Sequence, residues 1–92
     1  MDVKQAVKQA KMYVADLFAD EKPSNLGLEE VEYEEGRGEW LITIGFSRPW
    51  ESPKNRLAGL VDVVPSGRSY KVVCVSDETG KVQSVKNYET KH

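Results

Sequence analysis

Histidine and cysteine are almost missing from this sequence. The 92-residue chain has one of each, His92 and Cys74. A lone cysteine excludes an intrachain disulfide framework and a cysteine-rich zinc site. A lone histidine, at the last position given, sets aside any dyad or triad that needs an imidazole. Excess basic charge is missing too. Thirteen Lys and Arg face fifteen Asp and Glu, a net charge of −2, whereas nucleic-acid binders are usually clearly basic. No stretch approaches the roughly 20 apolar residues that span a bilayer. Charges at Asp2, Lys4, Lys8, Lys11 and Asp16 interrupt the first segment, so it has no secretory apolar stretch. One unpaired thiol and no export pattern predict a cytoplasmic protein that does not enter the membrane. Gly36-Arg37-Gly38 precedes a strand pattern, not a helix, so it is a turn and not a phosphate loop. No cofactor and no metal are expected.

What is present is ordinary globular material, 39% apolar and 30% charged. The length suits one domain over residues 1–92, burying roughly 60–65% of its unfolded surface. Residues 2–19 are expected to form a helix. Val3, Ala6, Val7, Ala10, Val14, Leu17 and Phe18 recur at spacings of three and four, which makes one apolar stripe. Asp2 is the expected N-cap, and Pro23 stops any continuation. Lys4 and Lys8 oppose the helix dipole, so packing of the stripe must supply the stability. The stripe Lys4, Lys8 and Lys11 reads as the solvated side of that helix.

Two hairpins follow. Residues 28–35 and 40–47 form the first, joined by Gly36-Arg37-Gly38-Glu39. Trp40, Ile42, Ile44 and Phe46 alternate with Leu41, Thr43, Gly45 and Ser47, the period of a strand with one buried face. Val31 and Tyr33 point inward and Glu30, Glu32 and Glu34 outward. Leu28 is out of phase with Val31, which predicts a bulge or a late strand start. Residues 69–76 and 81–88 form the second hairpin, its turn started by Asp77 and closed by Gly80 at positive φ. Here Tyr70, Val72 and Cys74 are assigned to the core face, and Lys71, Val73 and Val75 to the other. Val82 and Val85 again differ in phase. Between the hairpins runs a long segment, residues 48–68, bounded by Pro49 and Pro65.

The simplest assembly is an α+β fold in the order α-β-β-β-β: an N-terminal helix packed across a four-stranded antiparallel meander. Its outer sheet face would carry Glu30, Glu32, Glu34, Leu41, Thr43, Val73, Val75 and Val85. Four aliphatic groups left in water would make a patch in need of a cover. Either the long segment folds over it, using Leu57, Leu60, Val61 and Val63, or a protein partner does, and a homodimer through this open face is one expectation.

A helix followed by strands and closed by a strand–DETGKV–strand hairpin resembles the PepSY domain. Ala6, Ala10, Val31, Tyr33, Trp40, Ile42, Ile44, Tyr70, Val72, Val75, Asp77, Thr79, Gly80, Lys81 and Val82 carry the resemblance. It covers the helix and both hairpins but not residues 48–68. It implies a cystatin-like arrangement of helix and antiparallel sheet, and a propeptide-like, inhibitory or regulatory role toward peptidases. Such domains are often exported, whereas this chain shows no export pattern. The inhibitory Q-x-V-x-G loop of cystatins is not reproduced, since Gln83-Ser84-Val85 continues into Lys86-Asn87 within a strand.

Candidate functional residues fall in three groups. Six glutamates against Arg37 give residues 23–46 a net charge of −5. Alternate strand positions are about 7 Å apart, too far for three carboxylates to ligate one ion. This row reads as a solvated edge that discourages pairing. The long segment offers Arg48, Trp50, Lys54, Arg56 and Arg68, cations around an aromatic, placed on a loop where function tends to reside. Leu41, Val73, Val75 and Val85 are the candidate partner-binding groups of the open face. Cys74, flanked by valines, reads as a small buried hydrophobe. Together these favour a small non-enzymatic module that binds a protein or peptide. The alternative is a small-ligand pocket between helix and sheet, lined by Trp40, Tyr33, Tyr70 and Arg48. Nucleic-acid contact through residues 48–68 is a third and weaker reading.

Overall fold

The computed structural model describes residues 1–49 and 68–88. Helix α1 spans Val3–Leu17. Asp2 caps it as expected: its Oδ1 accepts the Gln5 backbone N–H at 2.8 Å, and Gln5 Oε1 accepts the Asp2 N–H at 2.9 Å. This reciprocal capping box satisfies two amides that the helix itself cannot. Ala6, Ala10 and Val14 have no exposed surface. Two alanines at a spacing of four let the helix backbone lie close to the sheet. A single 3₁₀ turn, Ala19–Glu21, ends with Lys22 at φ 50° before Pro23 redirects the chain.

Four strands follow, β1 (Ser24–Glu34), β2 (Glu39–Ser47), β3 (Ser69–Ser76) and β4 (Val82–Asn87), in the spatial order β1-β2-β3-β4. All neighbours are antiparallel. The fold is thus the α-β-β-β-β meander anticipated above. In the first hairpin Gly38 takes φ 62° and donates to the Glu34 carbonyl at 2.9 Å. In the second, Gly80 takes φ 74° and donates to the Ser76 carbonyl at 2.8 Å. Both turns use glycine where an L side chain would be strained.

Register decides which side chains meet the helix. Ile42 pairs with Val31 on one side and Val73 on the other, and Val73 pairs with Val85. Directly opposed residues share a sheet face. The core is therefore Ala6, Ala10 and Val14 against Ile42, Ile44, Phe46, Val73 and Val75, with Val7, Phe18, Leu26, Val31, Trp40, Val82 and Val85 packed around them. This corrects the phase assigned to β3. Val73, Val75 and Val85 are core residues, whereas Tyr70, Val72 and Cys74 belong to the outer face with Gly45, Thr43 and Leu41.

Two bulges resolve the phase conflicts seen in the sequence. Leu28 pairs with Ile44 and Glu30 with Thr43, so Glu29 is an extra residue in β1. Val82 pairs with Val75 and Ser84 with Cys74, so Gln83 is an extra residue in β4. Each bulge lets two apolar residues that differ in phase face the same side.

Candidate functional site

The residues singled out from the sequence scatter over the fold. Trp50, Lys54 and Arg56 lie outside the described residues, as do Leu57, Leu60, Val61 and Val63. Arg48 leaves the end of β2 on the helix side. Its Nη1 meets Glu21 Oε1 at 2.6 Å and its Nη2 donates to Ser69 Oγ at 2.7 Å. Its guanidinium lies 5.5 Å from the Phe46 ring centre and 5.9 Å from that of Phe18. Arg48 thereby closes one end of the core, tying the 3₁₀ turn to β2 and β3. Arg68 sits on the opposite face, 3.6 Å from Glu29 Oε2 and 3.0 Å from the Asn25 carbonyl. It reaches over Gly27 and Gly45, beside the Tyr70 ring, and a Cβ added at Gly45 would crowd it and that ring.

Of the four open-face candidates only Leu41 lies on the outer face, opposite Cys74 and Glu32. Val73 and Val75 are fully buried and Val85 packs against the core, so none of the three is displayed to a partner on that face. The aliphatic patch that motivated a face-to-face dimer shrinks to Leu41 and Val72. The ligand-pocket constellation does not assemble either. Tyr33 and Trp40 meet in a tilted contact, ring centres 4.7 Å apart, on the helix side, Tyr70 is on the other side, and Arg48 is at the far end of β2. Among the described residues no three His, Cys, Asp or Glu side chains are grouped to hold a metal ion, and no helix is long and apolar enough to cross a membrane.

Cys74 is 9% exposed. Burial pushes its thiol above the ordinary cysteine value, and the neighbouring Glu39 adds to the rise. A protonated thiol is a poor nucleophile. Asp77 shows the opposite behaviour. Trp40 Nε1 donates to its Oδ1 at 2.9 Å, and this bond holds its carboxyl below the usual aspartate value. Both groups have structural explanations: the one is sealed off, the other fastens the β3–β4 turn to β2.

The feature the sequence did not mark is a seam between α1 and the outer strand β4. Leu17 is 52% exposed, Met12 56% and Tyr13 42%. All three lie on or beside the β4 flank of the helix. Across from them stand Val82 and Val85, half-buried on the inner face of β4. Two open clefts lie along this seam. One, of about 620 Å³, runs from Met12, Tyr13 and Asp16 to Gly80, Lys81 and Val82. The other, of about 570 Å³, is lined by Leu17, Phe18, Lys71, Val85, Lys86 and Asn87. Volumes of this order accommodate a few side chains or a small ligand. The only advance sign in the sequence was the width of the apolar stripe, which Leu17 extends past the sheet.

The two outer strands differ in how they treat an incoming strand. β1 presents Glu30, Glu32 and Glu34 in a row and has two register irregularities. Like charges and bulges are the usual defences of a sheet edge. β4 has one irregularity and carries Gln83, Ser84, Lys86 and Asn87. A smaller groove on the β1 flank, about 430 Å³, has Val3, Val7 and Leu28 as its floor and Lys4, Lys8 and Lys11 as its rim.

No family model matches the chain, and no curated protein or solved structure matches it. The class that the fold defines is a small α+β domain, one N-terminal helix on a four-stranded antiparallel sheet, consistent with a broad cystatin- or PepSY-like architecture.

Proposed function

We propose that the protein is a small non-enzymatic module that binds an extended segment of a partner protein along the seam between α1 and β4. The observation that carries this reading is the coincidence of exposed Met12, Tyr13 and Leu17 with the less defended sheet edge. Strand addition supplies affinity through main-chain hydrogen bonds, and pockets for alternate side chains supply specificity. Here the alternate side chains would enter the two clefts. An inhibitory or regulatory role, as in PepSY-type modules, is in keeping with such capture. A cytoplasmic setting fits the single reduced thiol. Arg48 and Arg68 are already engaged in the contacts described above, which favours the seam over the cationic loop as the docking surface.

The test uses a capped nine-residue peptide of alternating leucine and threonine, titrated into isotopically labelled protein. Amide shifts confined to residues 9–17 and 82–87 are the expected result. Leu17→Gln should weaken binding without unfolding the protein. Shifts confined to β1 or to the outer face, or none at millimolar peptide, would overturn the proposal.

A further inference from the structure

Lys71 is a cation on the wrong side of the sheet for a solvated residue. It pairs in register with Ile44 and Asn87, which places it on the helix face beside the core. Its ammonium donates to Asn87 Oδ1 at 2.5 Å and lies 5.5 Å from the Phe18 ring centre. Asn87 is neutral, and among the described residues no carboxylate pairs with Lys71. The same ring receives Arg48, whose charge Glu21 balances. Two half-buried cations thus share the Phe18 ring. Lys86 borders the same cleft, but it is in register with Val72, so its side chain belongs to the outer face and Lys71 is the cation on the cleft side. The other cleft of the seam carries mixed charge: Asp16 and Lys81 line it together, and in the adjoining turn Asp77 and Glu78 stand with Lys8 and the Met1 ammonium.

We infer that the cleft beside Lys71 is a carboxylate site, and that the captured segment carries an acidic residue at one end of its apolar anchors. The inference rests on the seam being the docking surface. A carboxylate here would give Lys71 its missing counter-charge in a partly desolvated place, where charge-assisted hydrogen bonds are strongest. The same group at the other end would meet Asp16 and Lys81, charges that offset each other. The Lys71 cation at one end therefore fixes which way the segment lies, a specificity device as much as a source of affinity.

Three capped peptides of alternating leucine and threonine test it, with aspartate at the first position, aspartate at the last, or asparagine at both. Their affinities are read by fluorescence anisotropy at low salt. One aspartate peptide should bind about tenfold more tightly than the asparagine peptide, and the other no more tightly. Lys71→Met should abolish that preference and leave the asparagine peptide unaffected. Asn87→Asp, which supplies an internal carboxylate to Lys71, should abolish it as well. Equal binding of all three peptides, or a preference that survives both substitutions, overturns the carboxylate site and leaves the seam standing. Failure of all three to bind overturns both.

Discussion

Val72 and Val73 are neighbours in β3 with the same side chain and opposite fates. Val73 has no exposed surface and faces Ile42, whereas Val72 is half-buried on the outer face opposite Thr43. Truncating each to alanine removes the same two methyl groups and the same strand preference, so the difference between them reports burial alone. At about 0.8 kcal/mol for each buried carbon, Val73→Ala loses about 1.6 kcal/mol of transfer energy. The void under α1 raises this to about 2–2.5 kcal/mol. Val72→Ala should cost about 0.5–1 kcal/mol, since its methyls are only partly removed from water. Urea denaturation at a common m-value should therefore separate the two by about 1.5 kcal/mol. In a domain of this size that is a gap of about 6–12 °C in Tm. Equal costs, or a larger cost at Val72, would refute the register on which the core assignment stands.

Asp2→Ala should destabilise the protein by about 1 kcal/mol through loss of the capping box, read as lower midpoint denaturant and reduced helicity on warming. Arg48→Ala removes the Glu21 pair, the Ser69 bond and the contact with Phe18 and Phe46, so a loss of about 2 kcal/mol is expected from denaturation curves. Asp77 has a depressed folded-state pKa. Its contribution is complete above the ordinary value of 3.8 and fades as pH falls through the lower folded value. Asp77→Asn and Trp40→Phe should each flatten the acid limb of stability against pH, and an unchanged limb in both would dismiss the bond as a source of pH dependence. The Cys74 thiol should react with a disulfide reagent far more slowly in native protein than in urea, and comparable rates would contradict its burial.

Local signals in the sequence translate directly into structure. Asp2 is legible as a cap because a carboxylate before an apolar-periodic run has little other use. The glutamates of β1 are legible as an outward row because they alternate with Val31 and Tyr33. The bulges are legible as conflicts, since Leu28 against Val31 and Val82 against Val85 violate a period of two. What they do not reveal is which side the extra residue takes, because that is settled by the partner strand. Cys74 keeps its expected burial although it lies on the unexpected face.

The phase of β3 was not legible, and the reason bears on the binding site. Val72, Val73, Cys74 and Val75 are consecutive apolar residues, so either alternation yields a plausible core. The one charged residue inside the strand, Lys71, then tips the choice. Patterning rules place a lysine outward, and its same-face companions Val73 and Val75 go outward with it. The fold does the reverse. Pairing of Ile42 with Val73 buries two valines completely, worth about 3 kcal/mol or more. Lys71 has to follow them, and it does so cheaply because its stem can lie along Phe18 while the ammonium reaches the open cleft beside Asn87. Core packing thus forces a cation to the edge of an apolar groove. Where local pattern and global fold disagree in this way, a functional site is a common reason. The lysine that breaks the strand's polar pattern is the one that gives the α1–β4 seam its charge.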